Sequence, residues 1–309
     1  MKSTLFFGYT GLIGNKLLKN LHNIPYFQDH QQILCFSRKK INTQLPSFIH
    51  FIQYSPKTLQ DQLKETLSQK KQKWTIILLT GESIFNFITP KQWEKIYNSR
   101  VQLNQKIIKT LEETQTEVEK IICASAIGIY YQSKQSEVTE NSEITQHYFT
   151  NFIKEWEDTT LKSSFSDKAI ILRFGAVLDK NSKIYKSLKI PSILSLGINF
   201  TPDSPFPWIH NNEIPLILDF LLQKNQSGIF NIVNTNYLTF GEFLEKFIKN
   251  NSLLKKAFIL NLPKQILKKF LSLLMPSYYE VIYSLFDIPK VIPQKLIDLK
   301  YEFKFLEIP

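Results

Sequence analysis

The chain reads as an α/β protein built on a doubly wound parallel sheet, with a small C-terminal helical lobe. Three observations predict this. Short, nearly continuous apolar runs alternate with amphipathic helical patterns, as strands buried on both faces of a parallel sheet require. The first run, Leu5-Phe6-Phe7, passes through Gly8-Tyr9-Thr10-Gly11-Leu12-Ile13-Gly14 directly into a helical pattern over Asn15 to Leu21. Finally, 309 residues with 43% hydrophobic content suffice for one large domain plus a lobe. The main domain is expected over 1–250 and the lobe over 251–309.

The glycine turn carries the first functional expectation. The chain has 9 glycines, and three of them fall here, spaced three apart between a strand and a helix. That context presents backbone N–H groups to a pyrophosphate: the first glycine turns the chain sharply, the second admits the phosphates, the third lets helix and strand pack closely. Gly8, Tyr9, Thr10, Gly11, Leu12, Ile13 and Gly14 are therefore candidate cofactor contacts, with an ordinary strand-helix turn as the alternative. The G-x-x-G-x-x-G spacing resembles the extended, epimerase-like branch of the short-chain dehydrogenase/reductase superfamily.

Gln32 to Phe36 is the second expected strand and ends in Ser37-Arg38-Lys39-Lys40. An acidic residue at this strand end would hold the adenosine ribose hydroxyls of NAD, and none is present. A planar guanidinium suits a 2′-phosphate and Ser37 can add a hydrogen bond, so Ser37 and Arg38 favour NADP(H). A solvated basic loop is the alternative. Phe48 to Ile52 is a weak strand, and Leu59, Leu63 and Leu67 mark a helix. Trp74 to Leu79 is an apolar strand ending at Thr80-Gly81-Glu82-Ser83-Ile84, so Leu79, Thr80 and Gly81 should border the cofactor. From Pro90, the stripe Trp93, Ile96, Val101, Ile107, Ile108, Leu111 predicts one long helix. Arg100 is its one arginine, and spacing alone leaves it equally a surface residue or a ligand.

Lys120 to Ala124 is the next strand, followed by Ser125-Ala126-Ile127-Gly128-Ile129-Tyr130-Tyr131; Ala169 to Phe174 is the sixth. Leu178 to Pro207 reads as a loop rich in Ser, Pro and Asn. Thr239-Phe240-Gly241-Glu242 is a capping box opening a helix to Asn250. Pro263 to Leu274 is an amphipathic helix with Ile266, Leu267, Phe270, Leu271 and Leu274 on one side and Lys264, Lys268 and Lys269 exposed. Packing onto the main domain is favoured over contact with an anionic membrane.

The formal net charge is +11. The lysines read as spread over helix faces and loops, with short clusters at Lys70-Lys71 and Lys268-Lys269, so a solvated surface is expected and no nucleic-acid partner. Cys35 and Cys123 both fall in expected strands, which fits buried thiols in a reducing compartment. No apolar run reaches transmembrane length and the first strand begins by about Ser3, so a cytoplasmic protein without stable membrane insertion is expected. The 5 histidines show no ligand spacing, and no metal is expected.

Taken in order, the glycine turn, Thr80 to Ile84, Ser99-Arg100, Ser125 to Gly128 with Tyr130, Trp156-Glu157, Arg173 to Leu178 and Trp208-Ile209-His210 are similar to the epimerase family protein group of atypical extended short-chain dehydrogenases. The tail, Val291 to Lys295 and Lys300 to Phe303, fits that group too, with Lys300 where the group has glycine. The resemblance implies an NADP(H)-binding epimerase/dehydratase-like domain of Rossmann type and a family-specific C-terminal domain. It implies a cofactor site made of the glycine turn, Ser37, Arg38, Leu79, Thr80, Arg100 and Val177, and it raises Arg100 above what spacing gave. It also implies that the usual catalytic tyrosine and lysine are absent.

The residues agree on that last point. Ordinary members use a serine, a tyrosine and a lysine four residues later, the lysine lowering the tyrosine's pKa. Ser125 stands where the serine should. Tyr148 has Phe152 four residues on, and Phe149 has Ile153, so either register fails. Two readings stay open. In one, an oxidoreductase or epimerase of unknown small-molecule substrate uses Ser125, Tyr130, Glu82 or His210 for proton transfer. In the other, a regulator or scaffold binds NADP(H) without turnover.

Overall fold

The computed structural model describes residues 1–38, 46–68, 72–84, 89–274 and 287–309. Lys39, Lys40, Lys70 and Lys71 lie outside them. In chain order, β1 (Lys2–Phe7) leads through the glycine turn into α1 (Leu12–Asn20), followed by the single turn α2 (Pro25–Gln28), β2 (His30–Ser37), β3 (Ile49–Gln53), α3 (Leu59–Ser68) and β4 (Lys73–Leu78). Then come α4 (Pro90–Tyr97), α5 (Leu103–Glu113), β5 (Val118–Ala126), β6 (Glu137–Val138), α6 (Tyr148–Leu161), β7 (Ala169–Phe174) and β8 (Ala176–Leu178). The remainder is α7 (Lys183–Ile193), β9 (Leu196–Asn199), β10 (Trp208–His210), α8 (Glu213–Gln223), β11 (Gly228–Ile232), α9 (Phe240–Asn251), β12 (Phe258–Asn261), α10 (Lys264–Leu274), β13 (Lys290–Val291) and α11 (Gln294–Asp298).

Seven parallel strands form the central sheet in the order β11-β7-β5-β4-β1-β2-β3. The order reverses between β1 and β4, which opens a crevice at their carboxyl ends, where α/β folds of this kind bind ligands. Both faces are covered. Phe6, Ile77, Ile122 and Ile170 pack with α1 and α8, through Leu17, Leu18, Ile214 and Ile217. Leu5, Phe7, Ile76 and Ile121 pack on the opposite face with Leu63 of α3 and Ile107 of α5. This is the pleat's period of two, hidden in the sequence because both faces are apolar.

The expected long helix from Pro90 is interrupted: Asn98–Gln102 is a π-helical segment joining α4 to α5. Its extra residue re-aims the side chains at Ser99 and Arg100, as such insertions do near functional sites. The expected loop between Leu178 and Pro207 contains α7 and β9, because the Ser182 hydroxyl caps α7 by accepting from the Tyr185 N–H. The capping box at Thr239 forms as expected, the hydroxyl accepting from Glu242 N at 3.1 Å and the carboxylate accepting from Thr239 N at 2.7 Å. In α10 only Leu267 and Leu271 are buried; Ile266, Phe270 and Leu274 are exposed. Its packing on the main domain therefore uses two of the five residues of its apolar side.

The C-terminal stretch is threaded through the rest of the fold: β12 pairs with β9 and β13 with β6. Its tail hooks onto Glu213, at the start of α8, whose buried carboxylate accepts from Tyr301 Oη at 2.5 Å and from Phe305 N at 2.7 Å. Among the described residues, no helix is long and apolar enough to cross a membrane.

Candidate functional site in the crevice between β1 and β4

The glycine turn has no room for side chains. Gly8 has φ +86°, and a Cβ there would lie 2.3 Å from the Leu79 backbone; a Cβ on Gly14 would lie 2.2 Å from the Gly8 carbonyl oxygen. Gly11 is the N-cap of α1 and provides no side-chain cap for the helix's first N–H groups. Those N–H groups and the helix dipole are the elements of an anion site. Thr10 is exposed at its rim. The side chain of Tyr9 turns away: it stacks on Phe51 with centroids 5.3 Å apart, and its hydroxyl hydrogen-bonds Ser37. Burial pushes its pKa up to about 12. Tyr9 and Ser37 thus tie the turn to the end of β2, so what Tyr9 can give a ligand is backbone. Ile13 and Val177 are half-buried against one core, and Leu12 accepts through its carbonyl from Asn211 Nδ2 at 3.5 Å.

On the other wall, β4 runs out through Leu79 to Thr80, whose buried Oγ1 has no partner among the described residues. A Cβ on Gly81 would meet Arg100 Cζ at 2.8 Å, so the absence of a side chain there makes a seat for the guanidinium. Arg100 Nη2 donates to the Glu82 carbonyl at 2.9 Å, and the Ser99 hydroxyl accepts from Glu82 N at 2.9 Å. The π segment therefore pins the Thr80–Ser83 loop. Arg100 Cζ also lies 5.3 Å from the Trp156 ring centroid. Among the described residues no carboxylate is within ion-pair distance of Arg100, and burial lowers its pKa to about 10. Arg38 Nη2 donates to Glu82 Oε1 at 2.7 Å, with 60% of the Arg38 side chain exposed.

The catalytic candidates Ser125 and Tyr130 lie in one buried polar network. Ser125 Oγ donates to Glu157 Oε1 at 2.6 Å, and Arg173 grips both oxygens of that carboxylate through Nε and Nη2, each at 2.7 Å. Arg173 Nη1 donates to Tyr130 Oη at 2.8 Å, and Tyr130 donates on to Asn231 Oδ1 at 2.8 Å. Burial raises the pKa of Tyr130. Burial opposes the charge of Arg173, but the bonds to Glu157 outweigh it and raise its pKa. The sequence reading did not foresee this pair. The signal was present: Glu157 lies among apolar side chains on α6 and Arg173 within the apolar strand β7, and a charge in such a place needs a partner.

Phe149 and Ile153 occupy the position above Gly128, where a Cβ would meet them at 2.9 and 3.1 Å. The register with Phe149 and Ile153 is thus the one that faces the strand end, and Tyr148 is exposed. His210 stacks on Phe305, centroids 4.8 Å apart, and its Nδ1 accepts from Asn212 N at 3.0 Å. Burial lowers its pKa. Lys183 at the start of α7 reaches across to Ser83 Oγ at 2.9 Å.

No protein-family model matches the chain. It is 24% identical over 303 residues to the Arabidopsis thaliana protein named epimerase family protein SDR39U1 homolog, chloroplastic, covering 96% of this chain and 82% of that protein. It is 24% identical over 242 residues to the epimerase family protein SDR39U1 of Mus musculus, covering 75% and 78%. Among solved structures, human epimerase family protein SDR39U1 with NADPH superposes with a TM-score of 0.78 at 21% identity, covering 99% of this chain and 96% of that one. MoeE5 in complex with UDP-glucuronic acid and NAD superposes with a TM-score of 0.69 at 14% identity, covering 98% and 94%.

Proposed function

We infer that this chain, an epimerase-family protein of the atypical extended short-chain dehydrogenase/reductase type, binds NADP(H) in the β1–β4 crevice and acts on a small molecule as an oxidoreductase or epimerase. The observation that carries the cofactor reading is the cradle itself. Gly8 and Gly14 exclude side chains by backbone contact, Thr80 Oγ1 is buried without a partner among the described residues, and Arg100 is seated at the adjacent Gly81 with no carboxylate at ion-pair distance among those residues. A dinucleotide offers phosphates to the α1 N-terminus and polar atoms to Thr80.

Bound there, NADP(H) supplies hydride chemistry. The residues of the chain do the rest. The turn from Gly8 to Gly14 receives the diphosphate, Leu79, Thr80 and Gly81 line the wall, and Val177 closes the far side. Arg38 selects the 2′-phosphate by exchanging its bond to Glu82, which costs little because an exposed ion pair contributes only about 0–1 kcal/mol. Human SDR39U1, solved with NADPH, supports this choice. His210 has Nε2 without a partner among the described residues and is the side chain best placed to move a proton, because the Ser125 proton is held by Glu157 and Tyr130 both accepts from Arg173 and donates to Asn231.

One observation favours the reading without turnover: Phe149 and Ile153 fill the position of the usual tyrosine and lysine with hydrocarbon. Titration with NADPH and NADH, followed by intrinsic fluorescence, tests the binding step. A charge-assisted hydrogen bond contributes about 1.5–3 kcal/mol, so Arg38→Asp should weaken NADPH roughly tenfold to a hundredfold and leave NADH nearly unchanged. Absence of binding by either nucleotide would refute both readings. Binding with neither NADPH consumption across carbonyl substrates nor conversion of nucleotide sugars would leave the regulator.

A further inference from the structure

Two segments of the chain are rich in lysine and free of acidic residues. Segment 180–202 holds four lysines and segment 246–274 holds seven, and neither contains Asp or Glu. The two segments lie far apart in sequence and are brought together by the parallel pairing of β9 with β12, by Tyr185 Oη on Asn251 Oδ1 at 2.9 Å, and by the contact of Tyr185 with Phe247. Eleven lysines from two distant segments are thus gathered in one lobe, with Lys249 and Lys264 paired to Glu245 and Asp287.

That lobe presents an open apolar face. In register, Leu196 pairs with Phe258 and Ile198 with Leu260. All four are exposed, at 52%, 57%, 57% and 59% respectively. The opposite face of this two-stranded sheet is closed, since a Cβ on Gly197 would lie 2.6 Å from Ile248 of α9. Leu253 and Leu254, on the turn leading to β12, are exposed at 83% and 64%. A contiguous apolar patch of this kind marks an interaction surface. Exposed Lys255 and Lys256 lie on the turn before β12, and exposed Lys186 and Lys189 on α7, which precedes β9.

We propose that this face is a docking surface for an anionic phospholipid bilayer. Charge complementarity selects the partner: lysines attract an acidic leaflet while aliphatic side chains enter the headgroup boundary. A nucleic acid would leave Leu196, Ile198 and Leu260 facing water or phosphate, since its recognition uses cations and stacking aromatics. The association is peripheral, held by one sheet face and its rim of lysines.

The test is co-sedimentation of the full chain with vesicles of phosphatidylcholine alone or mixed with phosphatidylglycerol. Binding to the mixed vesicles that falls with salt, and none to phosphatidylcholine, is expected. Phe258→Ser/Leu260→Ser should weaken it roughly tenfold or more with an unchanged melting curve, because these side chains are already in water. Lys189→Glu/Lys256→Glu should weaken it by a similar factor and flatten the salt dependence. The proposal is overturned if the chain ignores anionic vesicles or if both variants sediment like the parent. It is equally overturned if a DNA duplex binds at least as tightly as the mixed vesicles and Phe258→Ser/Leu260→Ser leaves that binding intact.

Discussion

Replacing Arg173 by methionine tests whether the buried network around Ser125 is held by its ion pair. Both charged side chains are only 3% exposed, and Arg173 makes two bonds to Glu157 and one to Tyr130. Arg173→Met keeps an unbranched apolar stem but removes the guanidinium and leaves the Glu157 carboxylate with Ser125 as its remaining partner. Removing one member of a buried pair costs about 3–5 kcal/mol, mostly because the other charge stays buried without compensation. Further replacement of Glu157 by methionine and Ser125 by alanine removes that stranded charge and its donor. Tyr130 retains Asn231, so the triple variant should regain most of the loss and fall within about 1–2 kcal/mol of the parent. Urea denaturation followed by tryptophan fluorescence measures this, with the midpoint shifting and the slope unchanged. A loss below about 1 kcal/mol for Arg173→Met, or a triple variant less stable than the single one, would refute the argument.

The pH dependence of stability should have a component from His30. This residue is buried, hydrogen-bonded to Thr4 at 2.7 Å, and its pKa is lowered by burial from 6.5 to about 4. Between those values the unfolded chain binds a proton that the folded one does not, so its contribution is complete above about pH 6.5 and disappears as pH falls toward 4. The loss approaches about 3 kcal/mol; His30→Gln should flatten the acid limb of a stability-versus-pH curve, and an unchanged limb would exclude His30 as its source. Gly81→Ala places a methyl group 2.8 Å from Arg100 Cζ and must displace the guanidinium. Roughly tenfold weaker NADPH binding with little change in melting is expected; unaltered affinity in the same fluorescence titration would remove Arg100 from the site. Glu82→Gln breaks the Arg38 ion pair of 2.7 Å and frees the guanidinium. NADPH should bind up to about fivefold more tightly, matching an exposed pair of at most about 1 kcal/mol, and weaker binding would show that Glu82 itself holds the cofactor.

The sequence by itself determined whatever depends on neighbours along the chain. Strand β7 from Ala169 to Phe174, the strand-turn-helix around Gly8 to Gly14 and the capping box at Thr239 each follow from residues within a few positions of one another. Local sterics and hydrogen bonding act over that range. Tertiary structure alone decided which residues meet. Helical spacing could not choose between Tyr148 with Phe152 and Phe149 with Ile153; the packing of Phe149 and Ile153 over Gly128 chose. Nothing local tells Arg38 that Glu82, 44 residues on, is its partner, or Arg173 that Glu157 will meet it in the core. The lysines followed the same rule. Along the chain those of segments 180–202 and 246–274 look unrelated, and only the pairing of β9 with β12 brings the two sets onto one lobe, because a parallel sheet joins segments by backbone hydrogen bonds that leave no periodic trace in either one.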